Sequence, residues 1–122
     1  MEPLIVCAGI DRGKLLRLSF LASALGIRVK AAEGREQGQT VGALCGVDPA
    51  VNGSSGAIDG EMLVMAFFSD ALMDRFLKAL RDSGDTVALK AVLTPYNRAW
   101  RLDRLYRELK AEAAAMQGGK RP

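Results

Sequence analysis

Two runs of this chain are apolar without interruption. Leu4-Ile-Val-Cys-Ala8 is one, and Met62-Leu-Val-Met-Ala-Phe-Phe68, preceded by Glu61, is the other. Short continuous runs of this kind predict strands buried on both faces. Each is followed by apolar positions at helical spacing. Asp11 stands as an N-cap, Leu15, Leu18, Ala22 and Leu25 form one stripe, and Gly26 sits where a C′ glycine belongs. In the second case Ser69 is the cap, Leu72, Met73, Phe76, Leu77 and Leu80 form the stripe, and Gly84 ends it. After each helix comes a strand-like run broken by lysine, Arg28-Val-Lys-Ala-Ala32 and Thr86-Val-Ala-Leu-Lys-Ala-Val-Leu93. A third helix carries Leu102, Leu105, Tyr106, Leu109 and Ala113.

The order is therefore βαβ, βαβ, α, and the two halves echo each other. An offset of 58 brings Asp11 onto Ser69, Leu15 onto Met73, Leu18 onto Phe76 and Gly26 onto Gly84. With a further two-residue insertion, Lys30-Ala31 falls on Lys90-Ala91. This pattern predicts an α+β domain of ferredoxin-like, split βαβ type (βαββαβ) with an additional C-terminal helix. The first and third strands would be central. The lysine-bearing second and fourth would lie at the edges, where lysine discourages edge-to-edge pairing. Such a sheet has helices on one face only, so its other apolar face needs a cover. The expectation is a homodimer through that open face; the third helix folding across it is the alternative.

Residues 1–122 read as one domain with a Gly-rich insertion at about 34–60. That insertion holds seven glycines and no aromatic residue. Thr40-Val-Gly-Ala-Leu-Cys45 suits a short helix within it, and Val51-Asn-Gly-Ser-Ser-Gly-Ala57 suits a mobile stretch. A ligand lid or an anion nest is the functional reading; a permissive loop is the plain one.

Composition adds limits. Apolar residues make up 49% and charged residues 25% of the chain, ordinary values for a globular domain. No apolar run reaches the roughly 18–20 residues that span a bilayer. The start, Met1-Glu-Pro-Leu, lacks a basic n-region, which leads to the expectation of a cytoplasmic protein without membrane attachment. Net charge is +3, and residues 98–122 hold 7 Lys/Arg against 3 Asp/Glu, while residues 1–97 hold 10 against 11. The positive excess thus lies in the last helix and tail, including Lys120-Arg121. It reads first as a solvated face with Asp103/Arg107 and Arg104/Glu108 pairs. A weak nucleic-acid contact through Arg101, Arg104 and Arg107 is the alternative. Specific nucleic-acid binding is not expected, because aromatics total 6% and the central strands offer no base-stacking row.

The chain has no His, which removes the commonest general base and nitrogen ligand. Cys7 and Cys45 lack metal or redox spacing. Asp70 and Asp74, one helical turn apart, read as solvated. No metal site, cofactor or catalytic residue is assigned. Ala8-Gly-Ile-Asp-Arg-Gly-Lys14-Leu15 follows a strand and opens a helix, as a phosphate loop does. It lacks the first Gly and the Mg²⁺-binding hydroxyl, and Asp11 would repel phosphate.

Lys90-Ala-Val-Leu-Thr-Pro-Tyr-Asn-Arg-Ala-Trp100 concentrates the polar chemistry. Thr94-Pro95 forces an extended residue before a turn, and Asn97 can bond its own backbone. Lys90, Thr94, Asn97, Arg98 and Trp100 are the candidate ligand-binding residues, with Arg98 suited to bidentate recognition of an anion. The same residues also make a good strand-to-helix corner. Together with Leu102, Leu105, Tyr106 and Glu108-Leu109, this stretch resembles the closing signature, K-A-V-x-T-x-x-N-x-x-W, of a family of small bacterial proteins of unknown function. The resemblance covers 62–112. It implies a bacterial cytosolic α/β domain and supplies no activity. The family often places a helix-capping Thr after the Trp, where this chain has Arg101. The expected function is a non-enzymatic, oligomerising module that binds a small ligand or a protein. The alternatives are an enzyme acting on a small anionic substrate through Lys90, or a weak nucleic-acid binder.

Overall fold

The computed structural model describes residues 1–52, 56 and 58–119. Residues 53–55 and 57 of the Val51–Ala57 stretch expected to be mobile, and the Lys120-Arg121 tail, lie outside the described residues. Four strands form one mixed sheet: β1 (Leu4–Ala8), β2 (Arg28–Ala31), β3 (Met62–Ala66) and β4 (Leu89–Val92). The helices are α1 (Arg12–Ala24), α2 (Val41–Leu44), α3 (Asp70–Ser83) and α4 (Leu102–Gly119), with a 3₁₀ turn at Gly34–Gly38.

The strand order is β2-β1-β3-β4. As expected, the two unbroken apolar strands are central and the lysine-bearing ones are edges. The split βαβ order is not what forms. Each crossover joins neighbours, with β1 parallel to β2 and β3 parallel to β4, while β1 and β3 run antiparallel. The reason lies between β2 and β3. A split βαβ fold returns there by a hairpin, but here the described part of the connection, residues 32–52, travels over the sheet and buries Val41, Leu44 and Cys45 against it.

Both faces are consequently covered within the chain. On one side Leu18 and Ala22 of α1 and Phe76 and Leu80 of α3 pack on Ile5, Cys7, Leu63 and Met65. On the other, α2 and the α4 seam Leu102, Leu105 and Tyr106 pack on Leu4, Val6, Met62 and Val64. The face assigned to a second subunit is therefore not open. The seam spacing of α4, with apolar residues at i, i+3 and i+4, gives that helix a stripe that must be buried, and the sheet face receives it.

The internal echo is a real two-fold. In the β1–β3 ladder Leu4 pairs with Ala66, Val6 with Val64 and Ala8 with Met62, so shifting each residue by 58 reproduces the same pairs. Asp11 and Ser69 both cap their helices, accepting from the backbone N–H of Lys14 and Leu72 at 3.1 Å each. Gly26 and Gly84 both hold positive φ, 75° and 79°. The edges correct one detail. Leu4 pairs with Arg28 and Met62 with Leu89, so the edge strands correspond at an offset of 61. Lys90 is then the counterpart of Val29, not of Lys30.

Candidate functional site

The corner after β4 is built around Asn97, the one polar residue in the buried class among the described residues, 8% exposed. Its Oδ1 accepts from the Thr94 N–H at 2.9 Å, its Nδ2 donates to the Val92 carbonyl at 2.9 Å, and its own N–H donates to Thr94 Oγ1 at 3.1 Å. Arg98 next to it grips Asp48 in a fork, Nε to Oδ2 at 3.0 Å and Nη2 to Oδ1 at 2.6 Å. That hydrogen-bonded fork holds the Asp48 carboxyl below its ordinary range and raises the Arg98 guanidinium. Gly42 lies beneath the pair, donating its N–H to the Arg98 carbonyl at 2.8 Å. A Cβ there would collide with Asp48.

The five candidate residues therefore do not converge. Thr94, Asn97 and Arg98 come together but satisfy one another and Asp48. Lys90 is on the opposite face, beside α3, where its Nζ donates to the Val87 carbonyl at 2.8 Å. Trp100 is half-buried at the start of α4, with the Arg104 guanidinium 4.2 Å from its ring centre, a cation–π contact. The arginines on either side of Arg104, just before α4 and within it, are also engaged. Arg101 turns to the carbonyls of Gly38 and Asn52, and Arg107 lies 3.7 Å from Asp103. Lys14, the lysine of the tested phosphate loop, is paired with Glu61 at 2.8 Å.

A different set of residues encloses space. At the β2 edge, on the α2 side of the sheet, a cleft of about 490 Å³ opens between Leu4, Arg28, Lys30, Leu44, Cys45 and Phe67. Its volume falls in the range of small-molecule sites, about 300–1,000 Å³. Arg28 and Lys30, two apart on β2, project on the same side, since successive strand residues alternate faces. Their ion pairs are loose and exposed: Arg28 is 3.6 Å from Glu2, and Lys30 is 3.5 Å from Glu36. Cys45 is buried, and burial pushes its thiol up to about 11 even with Lys30 near. Cys7 lies on the other face of the sheet and is pushed up to about 12 by burial alone.

Phe67 forms a wall of the cleft and has φ of 64°, a left-handed conformation unusual for a bulky residue. Its counterpart across the internal two-fold is Gly9, φ 71°. The fold thus demands positive φ after each central strand, and the second half meets that demand with an aromatic at a cost on the order of 1 kcal/mol or more. A second hollow of about 250 Å³ lies beyond Phe67, edged by Leu93, Thr94 and Arg98. Sequence reasoning passed over Arg28, Lys30 and Phe67. The signal present was two basic residues at i,i+2 on an edge strand, and edge protection accounted for it fully.

Residues 61–116 match a domain of unknown function, DUF3783. The match runs from β3 to α4 and includes the Lys90–Trp100 stretch, so the resemblance to an uncharacterised domain family is supported. β1, α1, β2 and α2 lie outside it. No curated protein and no solved structure matches the chain. Among the described residues, no helix is long and apolar enough to cross a membrane, and no group of His, Cys, Asp and Glu is placed to hold a metal ion.

Proposed function

We propose that the protein is a non-enzymatic binding module that takes a small amphiphilic anion in the cleft beside β2. The observation that carries the reading is the placement of Arg28 and Lys30 over an apolar floor of Leu4, Leu44 and Phe67. Among the described residues each is held only by an exposed carboxylate at 3.5–3.6 Å, a pair that a ligand anion can displace because exposed ion pairs contribute little. The apolar floor would take the ligand's hydrocarbon part, at about 25 cal/mol per Å² buried. The non-enzymatic half of the reading is supported by Cys45, the one cysteine lining the cleft, whose burial keeps it a thiol.

Octanoate tests this. Titration should shift backbone NMR resonances of Arg28, Lys30, Leu44 and Phe67, with octylammonium leaving them in place. An Arg28→Ala/Lys30→Ala double variant should lose the response and keep its melting temperature. Equal responses to the anion and the cation, or none at millimolar octanoate, would overturn the proposal.

A further inference from the structure

The two-fold that relates the halves also exposes where they part. The buried pair of α1, Leu18 and Ala22, maps by the offset of 58 onto the buried pair of α3, Phe76 and Leu80. The outward positions do not correspond in chemistry. α3 presents Asp74 and Lys78 there, with Lys78 paired to Asp82 at 2.8 Å. α1 presents Leu16 and Phe20, which are 59% and 71% exposed. A helix that is apolar on both sides belongs in an interior, yet the fold covers only one side of α1.

From this face we infer that the chain associates with a second copy of itself through α1, the two helices packing antiparallel about a two-fold axis. Three features select that occupant. First, the exposed positions Gly13, Leu16, Phe20 and Ser23 are spaced 3, 4, 3, the seam of a helix pair. Second, the seam is self-complementary when reversed. Centred on Leu18, an antiparallel pairing puts Leu16 against Phe20 of the second copy and Gly13 against its Ser23, so bulky residues meet in the middle and small ones at the ends. An isologous interface requires this match of a patch with itself.

Third, the charges fit. α1 carries Arg12 in its first turn and no basic residue in its last turn, the reverse of what the dipole of an isolated helix favours. Antiparallel packing sets Arg12 beside the carbonyl end of the other α1. No like charges meet, because Arg17 is drawn aside to Asp85 at 2.8 Å.

The seam is short. Two large side chains per copy bury well under the roughly 800 Å² per partner of a standard interface. The dimer is therefore weak, with a dissociation constant on the order of 10⁻⁴ M.

Sedimentation equilibrium from about 10 µM to about 1 mM spans that value. The wild-type mass should climb toward twice the monomer. Phe20→Glu and Leu16→Glu should each hold the mass at the monomer, with unchanged thermal melts because both side chains are exposed. Lys78→Glu, at the counterpart of Phe20 on α3, should dimerise like wild type. Arg12→Glu should weaken association without abolishing it. A wild-type chain that stays monomeric throughout, or a dimer that survives Phe20→Glu, would overturn the inference.

Discussion

Asn97 decides the conformation of the whole corner between β4 and α4. Its side chain answers a backbone donor at Thr94 and a backbone acceptor at Val92, both in part-buried bonds. Asn97→Ala should cost about 2 kcal/mol, because it removes two side-chain hydrogen bonds worth about 1 kcal/mol each. Urea melts read this directly, and a loss under about 0.5 kcal/mol would mean that water replaces the side chain. The sequence showed this residue as polar, after a Thr-Pro turn, and hence as either a corner or a binding group. It could not choose between them, because both use the same hydrogen-bonding atoms. What decides is whether those atoms are already satisfied, and that depends on Thr94 and Val92 being brought within reach.

Elements were legible where the signal is local. Asp11, Ser69 and Gly84 mark helix ends through bonds made within a few residues, and the structure places each as expected. Strand order was not legible. A lysine-bearing strand reads as an edge whichever central strand it joins, and the choice was made by residues 32–52 crossing the sheet. Their contribution rests on Val41, Leu44 and Cys45, in a helix too short to show a period. The glycines after β1 and α3 separate two local demands. Gly9 and Gly84 share positive φ, 71° and 79°. A Cβ on Gly84 meets open space, whereas on Gly9 it would run into the Gly60 carbonyl. Gly84→Ala should therefore cost about 1 kcal/mol, the backbone penalty alone. Gly9→Ala should cost clearly more. Equal losses in paired denaturation curves would show that the 58–61 segment yields freely.

Across the whole molecule, carboxylates tie together segments distant in sequence. Arg98 holds Asp48, Arg17 holds Asp85 in a fork at 2.8 and 3.0 Å, and Tyr106 donates its phenol to Asp59 at 2.6 Å. These links fasten the 45–51 loop to the corner, α1 to the turn before β4, and α4 to the approach to β3. Each hydrogen bond holds its carboxyl below the ordinary range, and Lys110 adds to the effect at Asp59. A carboxyl depressed in the folded state contributes stability that is present above its unfolded pKa, about 3.9 for Asp, and is lost as pH falls through the folded value. Tyr106 works in the opposite direction. Its pKa is raised, chiefly by the bond to Asp59, so its contribution is present below the ordinary tyrosine value of about 10 and is lost above it. Cys7 and Cys45, both raised by burial, act in the same sense above the ordinary thiol value of about 8.5. The melting temperature should therefore form a plateau between about pH 3.9 and about pH 8.5 and fall on both sides. The acid limb should be shallow, since exposed pairs are screened. Asp48→Asn should flatten part of the acid limb and leave the alkaline limb alone; Tyr106→Phe should flatten part of the alkaline limb and also part of the acid limb, because Asp59 loses the bond that depresses its carboxyl. A melting temperature that rises on acidification would mean that these links do not hold the fold together in solution.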